Sequence, residues 1–381
     1  MASSVFSHAP SSSFTLHFNS SRPFSPQLIS VSKHLSFTVK ASTSVDYSIP
    51  SKSSPVAKSK PSSWQWKFGG NSVDIHFERL EKDGGGAAAR PRKDILLVPT
   101  ISDVSTVEEW RVVAEEIVGR ESAINWSATI VDWPGLGYSG RPKLDYNADV
   151  MERFLVDFVN APDSPISSFI ADNEYVVFGG GHGATIAVRA TKNGFLTPKA
   201  IAAVAPTWAG PLPIVFGKDS NMETRYGLLR GTLRAPALGW MMYNVLVSNE
   251  KAIQSQYKSH VYADPENVTR DIIESRYELT KRKGARYVPA AFLTGLLDPV
   301  SSREEFLELF SGLQGKHVPI LVMSTSSAPK RSKAEMEALR GAKGVSKFVE
   351  VKGALLPQEE YPKVVAEELY RFLVENFESE D

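Results

Sequence analysis

The sequence predicts an α/β protein: a mostly parallel eight-stranded sheet with helices on both faces and a helical lid inserted after the sixth strand. Three observations lead there. Short apolar runs of strand length alternate with stretches of helical spacing, which is the order of a parallel sheet covered by crossover helices. Several runs are apolar at every position, as strands buried on both faces are. Between Pro206 and Gly315 the alternation gives way to helical patterning with no further strand–helix repeat.

The elements follow in order. Residues 64–68 and 73–80 flank Gly69-Gly70-Asn71, a hairpin signal. Residues 95–98 form the first fully apolar run, and 106–118 carry Val107, Trp110, Val113, Ala114 and Ile117 on one helical side. Strands are then expected at 128–131, 175–178 and 201–204, with helices at 149–160 and 184–193. After the interruption, strands at 318–323 and 347–351 and a helix at 361–377 resume the alternation. The expected organisation is a core of residues 64–205 and 316–381 with a lid of residues 206–315. A lid so placed covers the carboxyl edge of the sheet, where such folds bind ligands.

Composition limits the function classes. The chain has 381 residues, 43 basic and 43 acidic, so it has no net field to draw in nucleic acid, and no nucleic-acid partner is expected. It has no cysteine, which removes disulfides, thiolate nucleophiles and cysteine-bound metal. No apolar run reaches the roughly 18–20 residues of a spanning helix, so a soluble protein is expected. Peripheral membrane contact is left open by the apolar, Met-rich stretch 233–247 and by the basic group Lys281, Arg282, Lys283 and Arg286. Covering the sheet and facing solvent are their plainer roles.

Residues 1–45 contain no acid before the end of the stretch at Val45, many serines and scattered Arg22, Lys33 and Lys40. That is the composition of an organelle transit peptide, and the Met-Ala start with little arginine favours the chloroplast. Val39-Lys40-Ala41 places cleavage near residue 40. Residues 46–63, rich in serine, lysine and proline, read as a flexible linker. The mature protein is expected in the chloroplast, in the stroma.

Two motifs carry chemistry. Asp132-Trp133-Pro134-Gly135-Leu136-Gly137-Tyr138-Ser139 follows a strand and turns sharply off its end. Gly179-Gly180-Gly181-His182-Gly183 lies between a strand and a helix. Together they resemble the D-x-P-G-x-G-x-S loop and the G-x-S-x-G nucleophile elbow of the α/β-hydrolases, and the resemblance extends over nearly all of the chain after the linker. Laid on residues 179–183, the elbow puts Gly181 at the nucleophile position. A frame shifted by one would put His182 there, but it moves the helix register relative to Ile186 and Ala187, so the Gly181 frame is preferred. Neither frame supplies a serine, cysteine or aspartate, and without a side-chain nucleophile no acyl-enzyme forms.

The resemblance also locates the other two members of the triad. The acid's position, after the strand at 318–323, holds Ser327, and the base's position, after the last strand, holds Leu355. No histidine follows His317. The segment that would build the oxyanion hole reads Pro99-Thr100-Ile101, where proline removes one donor. Asp298 is expected to cap the helix that begins near Ser301.

These departures predict a non-catalytic protein of the hydrolase fold, binding a small ligand or a chloroplast protein partner. Its candidate pocket residues are Pro99, Thr100, Ile101, His182 and Gly183. The alternative is a hydrolase-like or lyase-like enzyme that uses His182 as its base, and a conventional esterase with a differently placed triad is the third reading. The glycine run has neither P-loop nor dinucleotide spacing, and no histidine or carboxylate spacing suggests metal ligands, so no cofactor and no metal are expected.

Overall fold

The computed structural model describes residues 59–82, 90–170 and 174–378. The expected transit peptide, its cleavage point near residue 40 and most of the linker lie outside the described residues. The strands are β1 (Lys60–Phe68), β2 (Asn71–Leu80), β3 (Arg92–Val98), β4 (Asn125–Val131), β5 (Tyr175–Gly180), β6 (Ile201–Val204), β7 (Ile320–Thr325) and β8 (Lys347–Val351). They form one sheet in the order β1-β2-β4-β3-β5-β6-β7-β8. β2 runs antiparallel to both β1 and β4, and every later pairing is parallel.

Strand β1 begins at Lys60, four residues before the expected start of the core, and pairs in register from Lys60 opposite Arg79 to Phe68 opposite Asn71. Residues 60–63 are therefore strand and not linker. As part of an edge strand they are exposed, so their polar composition carries no strand pattern, and backbone pairing holds them instead.

The sheet is covered by α1 (Glu108–Val118), α2 (Ala148–Asn160), α3 (Ser167–Ile170) and α4 (Gly181–Lys192) in the first half of the chain. The interval after β6 holds α5 (Pro211–Phe216), α6 (Ser220–Arg234), α7 (Pro236–Leu246), α8 (Glu250–Gln256), α9 (Arg270–Lys281), α10 (Tyr287–Leu293) and α11 (Arg303–Ser311). The chain closes with α12 (Lys330–Ala338), α13 (Pro357–Glu360) and α14 (Pro362–Phe377). Successive side chains of β3 point to opposite faces. Ile95 and Leu97 pack with Trp110, Val113 and Ile117 of α1 and Leu369 of α14. Leu96 and Val98 pack with Met151, Phe154 and Phe158 of α2 and Ile186 of α4.

The expected lid, residues 206–315, is too long at its far end. Helix α11 buries Phe306, Leu309 and Phe310 against Ala184 and Val188 of α4 and Ile201 and Val322 of the sheet, so it is a core helix. Its apolar stripe has the same spacing as a lid helix, and pattern alone cannot say which surface it meets. Asp298 does not cap α11 either. Ser302 does, accepting from the Glu305 N–H at 3.2 Å.

Helices α5 to α10 make up the rest of the expected lid. Their anchor is Arg276 of α9, a fully buried guanidinium that donates to Glu108 of α1 at 2.5 Å, to Tyr257 at 3.1 Å and to Glu359 of α13. Within the Met-rich stretch, Leu233 and Tyr243 are buried, whereas Trp240 and Met241 are exposed. The basic group is partly engaged: Arg282 donates to the Gly137 carbonyl and Lys281 sits over the Tyr277 ring. No helix among the described residues is long and apolar enough to cross a membrane.

Candidate functional site

The site is built at the junction of β5 and α4. The backbone enters a left-handed conformation at Gly181, with φ +48°, which an L side chain adopts only at a cost. The residues on either side of that turn are small because backbones close in on them. A Cβ on Gly179 would lie 2.6 Å from the Ala184 Cα, and one on Gly183 would lie 2.4 Å from the Pro99 carbonyl oxygen. The left-handed residue is thus Gly181 and not His182, which stands at the second position of α4.

Above this turn lies a cavity of about 590 Å³, within the roughly 300–1,000 Å³ common for small-ligand sites. Thr100, Ile101, Gly181, His182 and Leu355 line it, so the structure brings together most of the residues singled out from sequence. Pro99 and Gly183 lie against each other just behind the wall. Ser327 is exposed at the end of β7 and is absent from the lining; its N–H donates to the Gly353 carbonyl at 3.0 Å. The lid supplies Ile214, Val215, Gln256, His260 and Phe292. A second space of about 460 Å³ continues beneath the lid and shares Asp103, Pro211, Gln256, His260 and Phe292 with the first.

His182 is 2% exposed. Its Nδ1 lies 2.7 Å from the Thr207 hydroxyl, and its Nε2 faces Asp298 Oδ1 at 3.7 Å. With the proton on Nε2, the ring accepts from the Thr207 O–H and points its own N–H toward the carboxylate. Asp298 is itself held on both oxygens: the Gly210 N–H donates at 2.8 Å, and the Lys218 ammonium lies at 2.6 Å. The edge of the His182 ring meets Phe292, with centroids 5.1 Å apart. Sequence reasoning missed Thr207 and gave Asp298 a capping role. Nothing local to either residue points at His182; the lid brings Asp298 back from far along the chain.

The floor beside Gly181 is a buried polar network. The Thr100 N–H and hydroxyl both donate to Glu109, each at 2.9 Å, and Gln358 Nε2 donates to the same carboxylate at 3.3 Å. Burial, reinforced by the nearby Glu359 charge, raises Glu109 from 4.5 to about 7 against the pull of those donors. The Thr100 N–H is consequently engaged away from the cavity. Burial also raises the Asp103 carboxyl above its usual range and lowers the His260 imidazole, both in the cavity wall. Among the described residues no cluster of three histidine or carboxylate side chains could hold a metal ion.

No protein-family profile and no curated protein matches the chain. Solved structures do. The haloalkane dehalogenase DatA of Agrobacterium tumefaciens is similar at 16% identity over 83% of this chain and 97% of that one, with a TM-score of 0.56. A serine hydrolase involved in carbazole degradation is similar at 16% identity over 82% and 99%, with a TM-score of 0.56. A thermophilic esterase from Thermogutta terrifontis is similar at 14% identity over 83% and 99%, with a TM-score of 0.54. Likeness at this level of identity concerns architecture. The chain has the α/β-hydrolase fold.

Proposed function

We propose that this protein is a ligand-binding member of the hydrolase architecture, in which the elbow has kept its shape and lost its nucleophile. One observation carries the reading. The left-handed residue at the strand–helix turn is a glycine, and it opens directly into the 590 Å³ cavity. The base's position supports it, since Leu355 presents an apolar side chain to the same cavity. Ser327, at the acid's position, is exposed. Residues 1–45 are proposed to direct the chain to the chloroplast, the acid-poor, serine-rich composition being the support. Import of the full chain into isolated chloroplasts, with loss of the leader, tests that part.

The binding reading is tested with the apolar dye Nile red and a serine-directed fluorophosphonate. The protein should bind the dye, Leu355→Trp should fill the cavity and abolish binding, and the fluorophosphonate should leave the protein unlabelled. Covalent labelling of the wild type sinks the reading.

The contact between His182 and Thr207 favours a second reading, an enzyme in which His182 takes the Thr207 proton with Asp298 behind it. Under that reading a generic ester is turned over by the wild type, and the turnover is lost in both His182→Ala and Thr207→Val. Absence of turnover leaves binding as the function.

A further inference from the structure

The cavity divides its polarity unequally. Its walls are apolar over most of their area, with Ile101, Ile214, Phe292 and Leu355 among them, and Asp103 is the one carboxylic acid in the lining, its ionisation disfavoured by burial. Cations stand on one side, at the start of α12, where Lys330 and Arg331 both line the cavity and both are exposed. Neither has an acidic partner among the described residues. They occupy the first two positions of a nine-residue helix whose N-terminus no side chain caps, so its first N–H groups are without helical partners. At the inner end, His182 Nε2 is buried and faces Asp298 Oδ1 at 3.7 Å, beyond hydrogen-bond distance.

Resting on the binding reading, we propose that the cavity takes a single-chain amphiphile with an anionic head. The head sits between Lys330, Arg331 and the first turn of α12, and the chain runs inward past Leu355 and Ile214 toward the space beneath the lid. A neutral amphiphile of the same length gains the apolar contacts but leaves both cations and the helix end unanswered. A dianion with no chain gains the charges alone, which salt screens at an exposed mouth.

Displacement of Nile red by dodecanoate, dodecyl phosphate and 1-dodecanol tests the inference. At least one of the two anions should displace the dye at about tenfold lower concentration than the alcohol, the effect of one or two charge-assisted hydrogen bonds. Which anion does so separates a carboxylate head from a phosphate head. The double substitution Lys330→Gln, Arg331→Gln should abolish that preference and leave displacement by the alcohol unchanged. Equal displacement by acid, phosphate and alcohol overturns the inference, as does a preference that survives in the double variant. In both cases dye binding that is still lost in Leu355→Trp leaves the pocket itself standing. Failure of the wild type to bind the dye at all overturns the pocket reading and this inference with it.

Discussion

At the scale of single residues, Gly181 and Glu109 make opposite kinds of demand. Restoring a hydroxyl by Gly181→Ser forces a side chain into φ +48°, with its Cβ 3.1 Å from Thr100 Cγ2. The expected outcome is a loss of about 1–2 kcal/mol in denaturant unfolding and no ester turnover, because Leu355 provides no base. Turnover by that single variant would show that a base is already in place. Glu109 ionises near 4.5 when unfolded and near 7 when folded. Between those values the unfolded chain has released a proton that the folded chain keeps, so this group's contribution to stability falls as pH rises from about 4.5 to about 7 and is constant above. Glu109→Gln removes that slope. The stability difference, variant minus wild type, should therefore grow by about 3 kcal/mol between pH 4.5 and pH 8. Chemical unfolding of both proteins across that range measures it, and a flat difference would place the carboxyl's titration elsewhere.

At the scale of elements, the parts legible in the sequence were those whose pattern reports their own surroundings. The all-apolar runs of β3, β5 and β6 could only be central strands, and the glycines around residue 181 could only mark a close strand–helix turn. Elements whose partner decides their role were illegible. Residues 60–63 look like linker because an edge strand needs no apolar face, and α11 looks like lid because a helical stripe does not name the surface it covers. Asp298 belongs to the same class, as its significance lies in Gly210, Lys218 and His182, all distant in sequence. Removing it should loosen the lid in particular. Asp298→Ala deletes one partner of a buried ion pair, at a cost of about 3 kcal/mol. Limited proteolysis should then cut within residues 211–293 faster than in the wild type while α11 and the sheet stay protected. Equal cleavage would show that the lid is held elsewhere, with Arg276 the first residue to suspect.

At the scale of the whole molecule, two covalently continuous parts have different jobs. The sheet and its flanking helices hold the β5–α4 turn, whose left-handed residue is Gly181. The lid lies above it and supplies part of the cavity wall. The hydrogen bond between Gly210, where the chain enters the lid, and Asp298, where it leaves, brings the two ends of the insertion to 2.8 Å. An excursion whose ends already touch is, to the rest of the chain, little more than a closed loop. Loop length enters such a closure only logarithmically, so segments of quite different length and sequence can be spliced between those two points at small thermodynamic cost. The architecture is therefore modular at this neck: the lining of the cavity can change by exchange of one cassette, without altering a residue of the sheet.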